Sequence, residues 1–281
     1  MIGTLATTDL SELLALPSVQ RSGVALVVAG LFLPLIGVLI VGFDILTVRF
    51  AVMHVALLGL AVGLWIGVDP TVLALVLCGA AGAGLAPLAG RPGGLSGPMG
   101  FLMTITIAAA LLVLSISGVN ANSAFSLLWG SILATRPADL ALLIVLAVVV
   151  IGAYSARRRQ IALVLFDREV AACSGIAVGA LTAAALIGVS VSIAASIQLT
   201  GALLVDSLTI LPALAARNLA SSLRSMATWA VGIGVTANLA GFLIALLLDL
   251  PPGPVLVIVA GAITLSTYLR RGTTRHEAPI H

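Results

Sequence analysis

GVALVVAGLFLPLIGVLIVGF, residues 23–43, runs for 21 positions without a charged side chain. A helix rises 1.5 Å per residue and the hydrocarbon core of a bilayer is about 30 Å thick, so about 20 apolar residues are enough to cross it. Comparable stretches recur at 50–67, 71–90, 99–118, 138–156, 176–196, 199–216, 226–248 and 254–270. The pattern predicts an all-α, polytopic transmembrane helical bundle of eight to nine spans: nine if every stretch crosses, eight if one is re-entrant. It reads as one domain over residues 1–271. An interfacial lead-in is expected at 1–22, and a disordered tail carrying His276 and His281 at 272–281.

Composition agrees. Hydrophobic residues make up 61% of the 281 and charged residues 8%, and the mean hydropathy is +1.26. Soluble domains carry about 25% charged residues. The formal charge is +3, and all thirteen basic residues are arginines spread among short polar breaks. Nucleic-acid binding needs a clustered positive face, and none is built here. Without lysine there is no P-loop lysine, Schiff base or serine–lysine dyad. Neither a G-x-S-x-G nor an H-E-x-x-H motif occurs, so an ordinary enzyme is not indicated. Cys78 and Cys173 stand far apart, with no C-x-x-C spacing for a metal or a disulfide framework.

The arginines also orient the chain, because short cytoplasmic loops are enriched in them. Arg157, Arg158 and Arg159 with Arg168, Arg217 with Arg224, and Arg270 with Arg271 fall at alternate crossings and are assigned inside. Arg49 and Arg91 follow, Asp69 and Asp249 fall outside, and Arg21 and Arg136 dissent. The small-residue run CGAAGAG, residues 78–84, suits close helix approach. Trp65, Trp129 and Trp229 stand near span ends, as interfacial anchors do.

Ionisable groups inside spans are costly and mark pathways, partners or strained contacts. Asp206 lies roughly 10 Å into its span; it reads either as lining a polar path for a cation or as a carboxyl bonded to a neighbouring helix or held protonated. His54 is the one histidine outside the tail. Imidazole is a common ligand of transition metals, while a lone histidine also serves as a satisfied core residue. The stretch LFDREVAACSGI, residues 165–176, follows the arginine cluster and so lies inside. Asp167 is placed to cap a short helix with Glu169 in its first turn, and Gly175 to end it. Such a helix at 165–175 is either a plain connector or a docking element.

These residues resemble the zinc/manganese permease family of ABC importers. WGSIL at 129–133 followed by PADL at 137–140 is similar to that family's phenylalanine-glycine-serine stretch, and 167–175 looks like its coupling helix. GALL at 201–204 with LPALAAR at 211–217, and DLPPGP at 249–254, resemble two further family runs in the same order. The resemblance implies a multi-pass permease of the prokaryotic cytoplasmic membrane. Two copies would form the translocation path, coupled to separate ABC ATPase subunits and served by an extracytoplasmic metal-binding protein. Asp167, Arg168, Glu169, Ala172 and Gly175 would then dock on the ATPase. The chain would bind no cofactor of its own, with ATP and Mg on the partner ATPase and a divalent metal as cargo.

The departures from the family bear on that cargo. The resemblance implies an aspartate four residues before the histidine, on the same helical face, but Phe50 stands there. A second family histidine is matched by Thr104. Asp206 occupies a position where a small or hydroxylated residue is usual. His54 and Asp206 are therefore the candidate path and metal residues. Three other readings stay open: a permease of the same architecture for a metal chelate or other small solute, an ion-coupled secondary transporter using Asp206 as its relay, and a non-transporting membrane scaffold in which neither buried polar residue matters.

Overall fold

A computed structural model of the chain describes residues 15–89, 94–118 and 136–275, with the backbone alone at 198–200, 202, 203, 206 and 271–275. Among the described residues there are ten α-helices and no strand. Helix α1 is Pro17–Gly42, with proline at its start, where the missing N–H costs nothing. Residues 17–22, expected in the lead-in, are therefore the first turns of a long apolar helix. Helix α2 is Leu46–Ile66 and α3 is Pro70–Leu85, with the Asp69 carboxylate accepting from the N–H groups of Thr71 and Val72. A 3-10 turn at Ala86–Leu88 follows α3, and α4 is Ser96–Ser117.

Helix α5, Pro137–Phe166, has 30 residues and a length of about 45 Å. The expected span ended at 156, at the arginine cluster. The helix instead runs on through residues with no glycine or proline to stop it, until Asp167 turns the chain. Its last turns therefore stand clear of a 30 Å apolar layer. Helix α6 is Arg168–Cys173, so residues 165 and 166, expected in the short helix, finish α5. Helix α7 is Val178–Thr200, α8 is Ala202–Leu219, α9 is Leu223–Leu247 and α10 is Pro252–Arg275. The last of these carries helix through 272–275, where a disordered tail was expected.

Eight of these helices are long and apolar enough to cross a membrane: α1 to α5, α7, α9 and α10. Helix α8 is a ninth long helix, joined to α7 through Gly201 alone. At φ 87° and ψ 151° that residue occupies backbone space essentially confined to glycine.

The helices form two packed sets. In one, α8, α9 and α10 gather with α1; in the other, α3 and α4 flank α2, and α7 lies on α3. Helix α5 leans on α1 and α7. The central apolar stretch of α1 is 72% buried and that of α5 17%, which makes α1 the axis of the fold and α5 its periphery. Close approach follows from small residues. A Cβ on Gly37 of α1 would coincide with the Thr209 carbonyl oxygen of α8, and one on Gly59 of α2 would stand 2.5 Å from Ala74 Cα of α3. The fully buried Asn238 donates from Nδ2 to the Leu26 carbonyl at 2.9 Å, tying α9 to α1.

Geometry also supports the alternation read from the arginines. Residues 42–45, 94–96 and 164–168, three connections assigned inside, all line a single cleft at one end of the bundle. Trp65 and Trp229 are half-exposed, while Trp129 lies outside the described residues.

Candidate functional site

Helix α6 is built on Asp167. In extended backbone (φ −157°, ψ 120°), this residue donates its N–H to the Leu163 carbonyl and so closes α5. Its carboxylate Oδ1 accepts from the N–H groups of Glu169 at 2.8 Å and Val170 at 3.0 Å, opening α6. A six-residue helix is too short to stand alone, and three features hold this one in place. Besides the cap, Ala171 is fully buried, and Arg168 Nη1 donates to the Ala89 carbonyl, just past α3, at 3.0 Å. Gly175, at φ 78°, ends the helix, its N–H donating to Ala172.

The outer surface of this element is what a partner would meet. Phe166 is 85% exposed and Val170 48%, and Glu169, Ala172, Cys173 and Gly175 are exposed beside them. Phe166 and Val170 are thus large apolar side chains exposed among the charged Asp167, Arg168 and Glu169. Next to it opens the cleft just described, about 410 Å³, with Asp44, Ser96, Asp167 and Arg168 on its walls. The expected residues Asp167, Arg168, Glu169, Ala172 and Gly175 thus fall on one compact element. Phe166 and the Arg168–Ala89 tether were missed. Phe166 had a signal, a large aromatic directly before a cap, whereas the tether had none.

His54 is half-buried on α2. Its Nδ1 donates to the Phe50 carbonyl one turn earlier at 2.7 Å. A carbonyl only accepts, so that bond places a proton on Nδ1; in the neutral ring Nε2 then carries the lone pair that binds metals. Phe50, where the resemblance implies aspartate, is 44% exposed with the Arg49 guanidinium 4.4 Å above its ring. A cation–π stack therefore occupies the expected carboxylate position. Thr104 donates to the Gly100 carbonyl at 2.9 Å, within its own helix. Asp206 lies on α8; its side chain is outside the described residues. Helix α2, which carries His54, and helix α8, which carries Asp206, belong to different packed sets. Among the described residues no group of three or more His, Cys, Asp and Glu side chains converges.

A further polar feature went unread. On α7 the hydroxyls of Thr182, Ser190 and Ser192 are buried and lack a hydrogen-bond partner among the described atoms. The signal was available as serines in an otherwise apolar span.

A model of the ABC 3 transport family matches residues 15–271. The chain belongs to the ABC 3 transport family. Eight apolar helices and this membership make it a multi-pass membrane protein of that transport family. Curated relatives of this family member include the "Probable metal transport system membrane protein" of Thermotoga maritima, 28% identical over 59% of this chain and 58% of the relative. A protein of the same name from Treponema pallidum is 32% identical over 41% of this chain and 42% of its own. These matches thus span about half the length of those relatives. The high-affinity zinc uptake system membrane protein ZnuB of Haemophilus influenzae is 23% identical over 78% of this chain and 84% of its own.

Solved structures share the fold. PsaBC from Streptococcus pneumoniae in complex with Fab superposes with a TM-score of 0.78 at 21% identity, covering 92% of this family member and 93% of that chain. An inward-facing ABC transporter assigned to the metal-chelate type superposes with a TM-score of 0.69 at 18% identity, covering 92% and 86%.

Proposed function

We propose that the chain is the membrane-spanning subunit of an ATP-driven importer for a divalent transition metal such as zinc or manganese. Two copies form the path, and a separate ATPase docks on α6 and the cleft beside it. The observation that carries this reading is the capped, tethered and apolar-tipped α6, standing beyond the bilayer in a chain of this family. The relatives named for metal transport and zinc uptake support the cargo class. The chain performs no covalent step. ATP and Mg belong to the partner, in keeping with a sequence that holds no lysine for a phosphate loop. An extracytoplasmic binding protein delivers the metal, and ATP binding shifts the permease between inward- and outward-facing populations.

In this reading Nε2 of His54 is a metal contact along the path, and Asp206 supplies the carboxylate that Phe50 no longer offers. One observation favours a second cargo, a metal chelate or other small solute: the position one turn before His54 holds an aromatic ring under a guanidinium instead of a carboxylate. Uptake in cells that depend on this permease tests both. Under the metal reading, His54→Ala and Asp206→Asn each lower uptake of labelled zinc or manganese by about tenfold or more. Unchanged metal uptake in both variants refutes those assignments, and transport of a chelate but not the free ion selects the second cargo.

A further inference from the structure

Between α5 and α9, at their inside ends, the fold leaves a cleft of about 780 Å³. Arg158 and Arg159 of α5 and Arg224 from the first turn of α9 line it, and no carboxylate does. Ser155 and Thr228 add hydroxyls at the same level. Tyr154 of α5 also lines it, and the rest of the wall is apolar and runs inward, with Leu35 of α1 and Val231 of α9 among its residues.

Depth along the helices decides what such a cleft holds. Arg158 stands about 30 Å along α5 from Pro137, which is one hydrocarbon thickness. With Pro137 set at the outer boundary of the hydrocarbon, Arg158 falls at the headgroup level of the inner leaflet. Val231 lies seven residues past Arg224, about 10 Å deeper, within the acyl region. A site that is cationic at headgroup depth and apolar below matches an amphiphile with an anionic head.

We propose that this cleft binds an anionic phospholipid of the inner leaflet, its phosphate held by Arg158, Arg159 and Arg224 and one acyl chain lying against Leu35 and Val231. Guanidinium forks match phosphate oxygens in bidentate geometry, and a low-dielectric wall strengthens the pairing. An acidic protein surface would satisfy the arginines but leave the apolar depth of the cleft unfilled. A free phosphate ion fails for the same reason. The bound lipid would wedge peripheral α5 against the set formed by α1 and α9.

The test uses the full chain in nanodiscs of mixed phosphatidylglycerol and phosphatidylcholine, followed by native mass spectrometry of retained lipid. Wild type is expected to retain phosphatidylglycerol in preference, and each of Arg158→Gln, Arg159→Gln and Arg224→Gln to lower that preference by about fivefold. Thr228→Trp, which fills the cleft and leaves every charge in place, is expected to lower retention as well. Arg217→Gln, outside the cleft, is expected to leave it unchanged, and melting in pure phosphatidylcholine checks that each variant is folded. Competition by inorganic phosphate at millimolar concentration with no dependence on acyl chains would overturn the lipid assignment. So would folded Arg and Trp variants with wild-type lipid preference, or variants that lose only ATPase association.

Discussion

Replacing Asp167 by alanine tests the docking role of α6 at its cheapest point. The carboxylate satisfies two backbone N–H groups, at 2.8 Å and 3.0 Å, in a helix of six residues. Losing such a cap costs about 1 kcal/mol, within a range of roughly 0.5–2. That is about a fivefold shift toward the unwound segment. Nothing in the helix's own length offsets it, since nucleation is unfavourable and six residues gain few hydrogen bonds. The buried Ala171 and the Arg168–Ala89 bond remain, so the segment weakens without being lost. With the permease and its ATPase in nanodiscs, Asp167→Ala is expected to reduce ATPase affinity and metal moved per ATP by up to about fivefold, the loss scaling with the unwound fraction. Asp167→Asn keeps an acceptor at the cap and is expected to stay near wild type. Wild-type coupling in Asp167→Ala would refute the argument. Equal damage in Asp167→Asn would also refute it, because the charge and not the cap would then be what the partner reads.

Gly37→Ala places a Cβ on the Thr209 carbonyl, so α1 and α8 must separate; a loss of about 3 kcal/mol, seen as a lowered Tm in detergent, is expected. Gly188→Ala meets open space and gains helix propensity, so its Tm is expected to hold or rise; equal melting of the two variants would contradict the close crossing. Cys173 is exposed and Cys78 buried. A membrane-impermeant maleimide should therefore label one site, in inside-out vesicles and not in right-side-out ones, and the reverse pattern would invert the topology.

The apolar stretches were legible because hydrocarbon permits so few alternatives: a spanning segment must be helical, long and uncharged. Helix ends were less legible. The arginines at 157–159 mark where the apolar stretch ends, but the helix continues past them to Phe166. Charge reports solvent, whereas helix termination needs a breaker, and none comes before Asp167. That cap could be read directly, since a cap is a local device three residues long. Its tether to Ala89 spans 79 positions and has no local signature. The same limit applies to His54. Its spacing from position 50 was visible, but the hydrogen bond that places a proton on Nδ1 runs to a backbone carbonyl, which every residue possesses.

The attachments of α6 to α5, α7 and the segment after α3 bear on how a docked partner would act. Helix α6 opens on the residue that closes α5 and passes into α7 after a short turn, while Arg168 binds Ala89, just past the 3-10 turn that follows α3. Helix α7 packs on α3, meets α1 and α8, and continues through Gly201 into α8. Displacing α6 therefore moves α3 and α7 together, and loads the one-residue joint that leads into the other set. Taking a two-state equilibrium from 1:99 to 99:1 requires about 5.5 kcal/mol. The cap and the tether of α6 supply only about 1 kcal/mol each, less than that load. An isolated α6 would unwind before the bundle moved. The exposed Phe166 and Val170 resolve this, because burying them in a partner's groove adds roughly 1.5–3 kcal/mol for Phe166 and about half as much for Val170, which is already half-buried. In the proposed mechanism the partner thus completes the lever that it then pulls, and coupling fails when either the cap or the apolar tip is removed.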